Sequence, residues 1–135
     1  MRSEKRLYPR GKYKWPVVFK TERSSINGVT LNVGPDGVFV SCHKPARLNE
    51  VGELTINIPD TNHSIKAQTE VVWSNIYGPD DEITPRGMGV RFIKISSEDR
   101  KFIATAVLGQ LKSLEVDPAL LNTLSTLIIE LSEGG

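Results

Sequence analysis

Several kinds of chemistry are missing from this sequence. It has one cysteine, Cys42. That rules out a disulfide framework and a cysteine-based zinc site, and it fits a reducing, cytosolic compartment. The two histidines, His43 and His63, flank polar or turn-like stretches and lack a partner at metal-ligand spacing. Both are expected at the surface. No glycine motif follows a strand and opens a helix in the manner of a nucleotide-triphosphate or dinucleotide site. Ser24, Ser25 and Cys42 have no neighbouring base to activate them as nucleophiles. The acidic run Asp80-Asp81-Glu82 lies between Gly78-Pro79 and Pro85, as a solvated loop would. No apolar run approaches membrane-spanning length, and the polar N-terminus has no signal-peptide apolar stretch. These absences favour a cytoplasmic binding module, with no metal and no membrane span, over an enzyme.

What is present has the make-up of a soluble globular domain. The chain has 135 residues, 39% hydrophobic and 24% charged, enough to bury a core without staples. The net charge of +1 hides an asymmetry. Residues 1–25 hold eight Lys and Arg against Glu4 and Glu22, which is +6, so the remainder carries −5. A basic end on an acidic body points to an anionic partner or a solubilising tail.

From residue 15 to residue 95 the pattern is β. Runs at 15–19, 28–33, 37–42, 53–59, 64–73 and 87–95 are β-branched, aromatic or alternating. Ile65, Ala67, Thr69, Val71 and Trp73 alternate through the fifth run, and Met88, Val90 and Phe92 through the sixth. Gly34-Pro35-Asp36-Gly37 reads as a tight turn. Six short strands with no helix between them predict an antiparallel sandwich or small barrel. After residue 95 the period changes. Ser97 is the expected cap of a helix whose stripe is Phe102, Ile103, Ala106, Val107, Leu111 and Leu114. Asp117 and Pro118 open a second helix, 118–132, which Gly134 ends. Its face of Leu120, Leu121, Leu124, Leu127, Ile128 and Leu131 suits packing on the barrel or self-association.

The basic segment EKRLYPRGKYKW, residues 4–15, places Arg6 and Arg10 four apart around Tyr8 and Pro9. Arginine donates paired hydrogen bonds to phosphate or to the guanine edge. Pro9 disfavours a helix here. A bend at Tyr8-Pro9 would turn both arginines onto one compact anion. Asn32, in the loop 31–37, offers a donor and an acceptor for a base edge. Gly34 and Gly37 permit sharp turning or close approach. Taken alone, the loop also suits a plain glycine-rich hairpin.

The order of these landmarks resembles the PilZ domain family. They are Arg6 and Arg10, Asn32 and Gly37, the strand GVFVS, Gly52, EVVW at 70–73 and GMGVRF at 87–92. The resemblance implies an all-β core, a six-stranded antiparallel PilZ-like barrel with two C-terminal α-helices. It further implies a bacterial, cytoplasmic receptor for cyclic di-GMP. The organisation expected is a flexible basic arm, 1–14, a barrel with a trailing helix, 15–112, and a C-terminal amphipathic helix, 113–135. In that reading Arg6 and Arg10 clamp guanine and phosphate, Asn32 bonds a guanine edge, and Gly34 and Gly37 belong to the motif loop. The arm orders on the ligand and signals to an unknown downstream protein partner.

Gly34 stands where the family has serine. A lost hydrogen bond of about 0.5–1.5 kcal/mol predicts affinity weakened by roughly tenfold. Gly34 also opens torsions closed to serine, so the loop path is expected to differ. The alternative is a degenerate PilZ domain acting as a ligand-independent protein–protein adaptor. Nucleic-acid binding by the arm, with Tyr13 and Trp15 stacking on bases, is set aside because the body is acidic and carries no basic stripe.

Overall fold

The computed structural model describes residues 8–76 and 85–133. The expected six strands are β1 (Pro16–Lys20), β2 (Ser25–Val33), β3 (Gly37–Ser41), β4 (Val51–Asn57), β5 (Ser64–Asn75) and β6 (Gly87–Lys94). They close into an antiparallel barrel in the order β1-β2-β3-β6-β5-β4, with β1 against β4 completing the ring. Closure leaves no strand edge unpaired. Alternate side chains fill the interior. Val17, Phe19, Val38, Val40, Leu54, Ile56, Ile65, Val71, Met88 and Val90 are all buried, and burying a side chain of this kind stabilises by about 1.5–3 kcal/mol.

The register shifts at three places, one of them between Gln68 and Thr69 where β5 faces β6, and the other two decide where candidate residues point. In β2 the register shifts between Thr30 and Asn32. Thr30 and Val33 point inward, and Asn32 is left half-buried on the barrel wall. In β5 it shifts between Val71 and Trp73. The expected inward place of Trp73 is therefore corrected. It is 37% exposed and packs on Phe39 across the outer face at 5.4 Å, while Asn75 turns inward and donates to the Pro85 carbonyl. An extra residue reverses which face the following side chains occupy.

Two helices follow, α1 (Ser97–Lys112) and α2 (Pro118–Glu133). The α1 cap is Ser96 rather than Ser97. Its backbone is extended, and its hydroxyl accepts from the Asp99 amide at 3.0 Å. The buried stripe is Ile103, Ala104, Val107 and Leu111. Phe102 and Ala106 lie on its flank, and Leu114, past the helix end, is 56% exposed. Phe102 is nonetheless covered in part by Trp15 and by His63. His63 is thus half-buried, with Nε2 3.5 Å from Asp99, whereas His43 is exposed as expected. Asp117 caps α2 by accepting from the Ala119 amide at 3.0 Å. Leu124 and Leu127 of α2 are buried, and Leu120 and Ile129 face outward. The expected stop at Gly134 and the acidic run 80–82 lie outside the described residues.

Candidate functional site

The site is assembled where the basic segment meets the end of β2. Gly11 and Val33 exchange both backbone hydrogen bonds, at 2.8 Å each. Downstream the segment is tied to the body at Lys12, Tyr13 and Trp15. The Lys12 carbonyl accepts from Gln110 of α1 at 2.8 Å. The Tyr13 hydroxyl donates to the Ala106 carbonyl at 2.7 Å. The Trp15 amide donates to the buried Thr30 hydroxyl. Burial raises the Tyr13 phenol above its ordinary pKa, keeping it protonated as that donor. Trp15 is 6% exposed and Tyr13 stacks on it at 4.8 Å. Both rings are committed to packing within the fold.

One residue upstream of the Gly11 bridge, Arg10 Nη1 donates to Asn32 Oδ1 at 2.9 Å. Two expected site residues, 22 positions apart, are thus neighbours. The β2 bulge turns Asn32 outward, and the Gly11 bridge delivers Arg10 to it. Arg6 lies outside the described residues.

The turn beside them is closed by reciprocal backbone bonds, Gly34 N to Gly37 O at 2.9 Å and Gly37 N to Gly34 O at 3.3 Å. No described glycine has a positive φ, so Gly34 uses no torsion that serine lacks, and that expectation is corrected. What Gly34 supplies is space. A Cβ there would stand 2.7 Å from Arg10 Cγ and 3.3 Å from the Pro9 carbonyl oxygen. Gly37 supplies space on the other side, where β3 crosses β6. A Cβ on it would overlap the Val90 carbonyl oxygen and lie 2.9 Å from Arg91 Cα.

Sequence reasoning missed Arg100. From α1 its Nε donates to the Pro35 carbonyl at 3.2 Å and its Nη2 to Asp36 Oδ1 at 3.3 Å. Its guanidinium lies over the Tyr8 ring, 5.6 Å from the centroid. Pro35 and Asp36 also line a cleft of about 540 Å³ that Arg91, Lys94 and Arg100 border with positive charge. Arg91 is paired with Glu70 at 2.7 Å. Nothing local marks Arg100, since it reads as one more solvent-face residue of an amphipathic helix. Among the described residues no group of three or more His, Cys, Asp or Glu side chains is placed to hold a metal ion.

A closed six-stranded barrel with an arginine-bearing segment folded onto its β2–β3 turn defines a small-barrel domain with guanidinium groups gathered beside that turn. The family comparison makes the class specific. The PilZ domain model matches residues 4–109, and the chain belongs to the PilZ domain family. Among solved structures, the Bacillus subtilis inhibitor of motility, MotI/DgrA, is similar in fold. Its TM-score is 0.67 at 19% sequence identity, and the match covers 84% of this chain and 54% of that one. The chain thus spans about half the length of that protein. No curated protein matches the sequence.

Proposed function

We propose that the chain binds cyclic di-GMP at the Arg10–Asn32 site and passes the signal to a protein partner in the bacterial cytoplasm. The observation that carries this reading is the 2.9 Å contact between Arg10 and Asn32 beside the 34–37 turn, in a chain of the PilZ family. A guanidinium and a carboxamide side by side offer donors to phosphate or guanine and a donor–acceptor pair to a base edge. In the ligand-free protein they satisfy each other. Binding therefore exchanges one set of hydrogen bonds for another, and the gain comes from the charge on the ligand and from Arg6 closing over it. Residues 11–15 are tied to β2 and α1, and Tyr8 and Arg10 already have side-chain contacts, so in this reading ordering on the ligand belongs to the arm before Tyr8.

The test is calorimetric titration of the whole chain with cyclic di-GMP, with GTP as control. Saturable binding at micromolar concentration or tighter, abolished in Arg10→Ala at unchanged melting temperature, supports the receptor reading. Wild-type affinity in Arg10→Ala refutes it. Absence of heat and of thermal shift in the wild type identifies the ligand-independent adaptor, for which Gly34 in the serine position is the supporting observation. Self-association through helix 118–132 belongs to that second reading, and sedimentation showing a monomer counts against it.

A further inference from the structure

Arg100 touches two segments far from it in sequence. Its guanidinium serves the Pro35 carbonyl and the Asp36 carboxylate and lies over the Tyr8 ring. Pro35 and Asp36 are the central residues of the 34–37 turn. Tyr8 lies between the two arginines of the R-x-x-x-R segment. One planar cation thus spans both halves of the candidate site. Only arginine combines paired in-plane donors with a flat face that stacks on an aromatic ring. A lysine ammonium keeps the charge but has no plane.

The arm needs such a tie. Among the described residues of the arm, backbone pairing is confined to Gly11–Val33. Before it, side chains hold the arm, with Arg10 on Asn32 and Tyr8 on Arg100. We infer that Arg100 is a positioning residue for the site, holding the Tyr8–Arg10 section over the 34–37 turn in the ligand-free protein and linking it to α1. This deepens the proposed function and rests on it for its ligand-bound consequence, though not for the docking itself. Because α1 packs on α2, any ligand that moves Tyr8 also changes the contact carried by the helical pair.

Limited trypsin digestion of the full chain, read by mass spectrometry, tests the docking without ligand. Cleavage of the Arg10–Gly11 bond requires the Gly11–Val33 bridge to open. Tyr8→Leu and Arg100→Lys should each speed that cleavage by about three- to tenfold. Cleavage after Lys66, inside β5 and paired with Thr55 of β4, reports opening of the barrel and should keep its wild-type rate. The double variant should cut no faster than the faster single one, because both remove the same contact. A wild-type rate at Arg10–Gly11 in either single variant overturns the inference, and so does a double variant whose rate is the product of the two effects. Titration of Arg100→Lys with cyclic di-GMP then reads the ligand-bound consequence, with affinity expected to fall about three- to tenfold. A wild type that binds no cyclic di-GMP would defeat the receptor reading, while the digestion result would still decide the role of Arg100.

Discussion

Replacing Gly37 with alanine adds one methyl group at the point where β3 meets β6, and the two strands leave no room for it. Gly37 pairs with Arg91 across that ladder. The new Cβ would overlap the Val90 carbonyl oxygen and stand 2.9 Å from Arg91 Cα and 3.1 Å from the Val90 carbonyl carbon. All three atoms are backbone, so no rotamer change relieves the clash and the ladder itself must part. Overpacking a well-filled site costs about 1–3 kcal/mol. With backbone as the obstacle the upper end applies, about 3 kcal/mol of a total near 10. The same substitution at Gly109 is the control. That glycine lies inside α1 with nothing within 4 Å of an added Cβ, and helix propensity favours alanine there by about 0.8–1 kcal/mol. Urea denaturation, analysed with a common slope, should give shifts of opposite sign for the two variants. In thermal melts Gly37→Ala should lie roughly 10 °C below wild type. A Gly37→Ala protein within about 0.5 kcal/mol of wild type would refute the steric argument. Loss of ligand binding in this variant is informative only below its melting range, where a folded barrel isolates the effect on the motif loop from the effect on stability.

Three further outcomes follow from the same geometry. Burial pushes the Cys42 thiol up to about 11, so alkylation of the native protein should rise about tenfold per pH unit through pH 8–10, and a plateau near pH 9 would contradict this. Because the folded state holds that proton more tightly, the stability this group contributes is complete below pH 9 and declines as the pH approaches 11, which urea midpoints across that window would record. Leu124→Ala should cost about 2–5 kcal/mol because Leu124 is fully buried, whereas Ile129→Ser on the outward face should stay within about 0.5 kcal/mol. Equal midpoints for those two variants would show that α2 does not seal the core.

The barrel was readable because strand alternation is a strong local signal. All six strands appear within three residues of their expected ends, and the trailing helices follow where the hydrophobic period changes. The errors fall where a single residue alters the phase. No sequence rule places the β5 bulge between Val71 and Trp73, yet it sends Trp73 outward and Asn75 inward. The stripe of α1 was misjudged for a similar reason. A helix meeting a curved barrel end buries the narrow line Ile103, Ala104, Val107 and Leu111. Phe102, with a larger ring, covers the rim beside Trp15 and His63.

For the candidate site, the order of motifs singled out Arg10 and Asn32, the structure brings them into contact, and tertiary packing decides what their neighbours do. A serine at position 34 would bring its Cβ within 2.7 Å of the Arg10 stem. Arg10 therefore reaches Asn32 by crossing ground that a side chain would otherwise hold. This changes the meaning of the missing hydroxyl. Its absence removes a donor, which argues for weaker binding, and it also lets the site residues close on each other without ligand, which adds a self-contact that the ligand must displace. On the proposed receptor reading both effects would lower affinity for cyclic di-GMP, and they separate in experiment. Gly34→Ala removes the space without restoring the hydroxyl, whereas Gly34→Ser does both. If the self-contact is what weakens binding, Gly34→Ala should bind cyclic di-GMP more tightly than the wild type. If the hydroxyl matters, only Gly34→Ser should improve, by about tenfold. Calorimetric titration of the two variants compares these cases directly, and weaker binding in both would show that Arg10 needs its present path over Gly34 to reach the ligand.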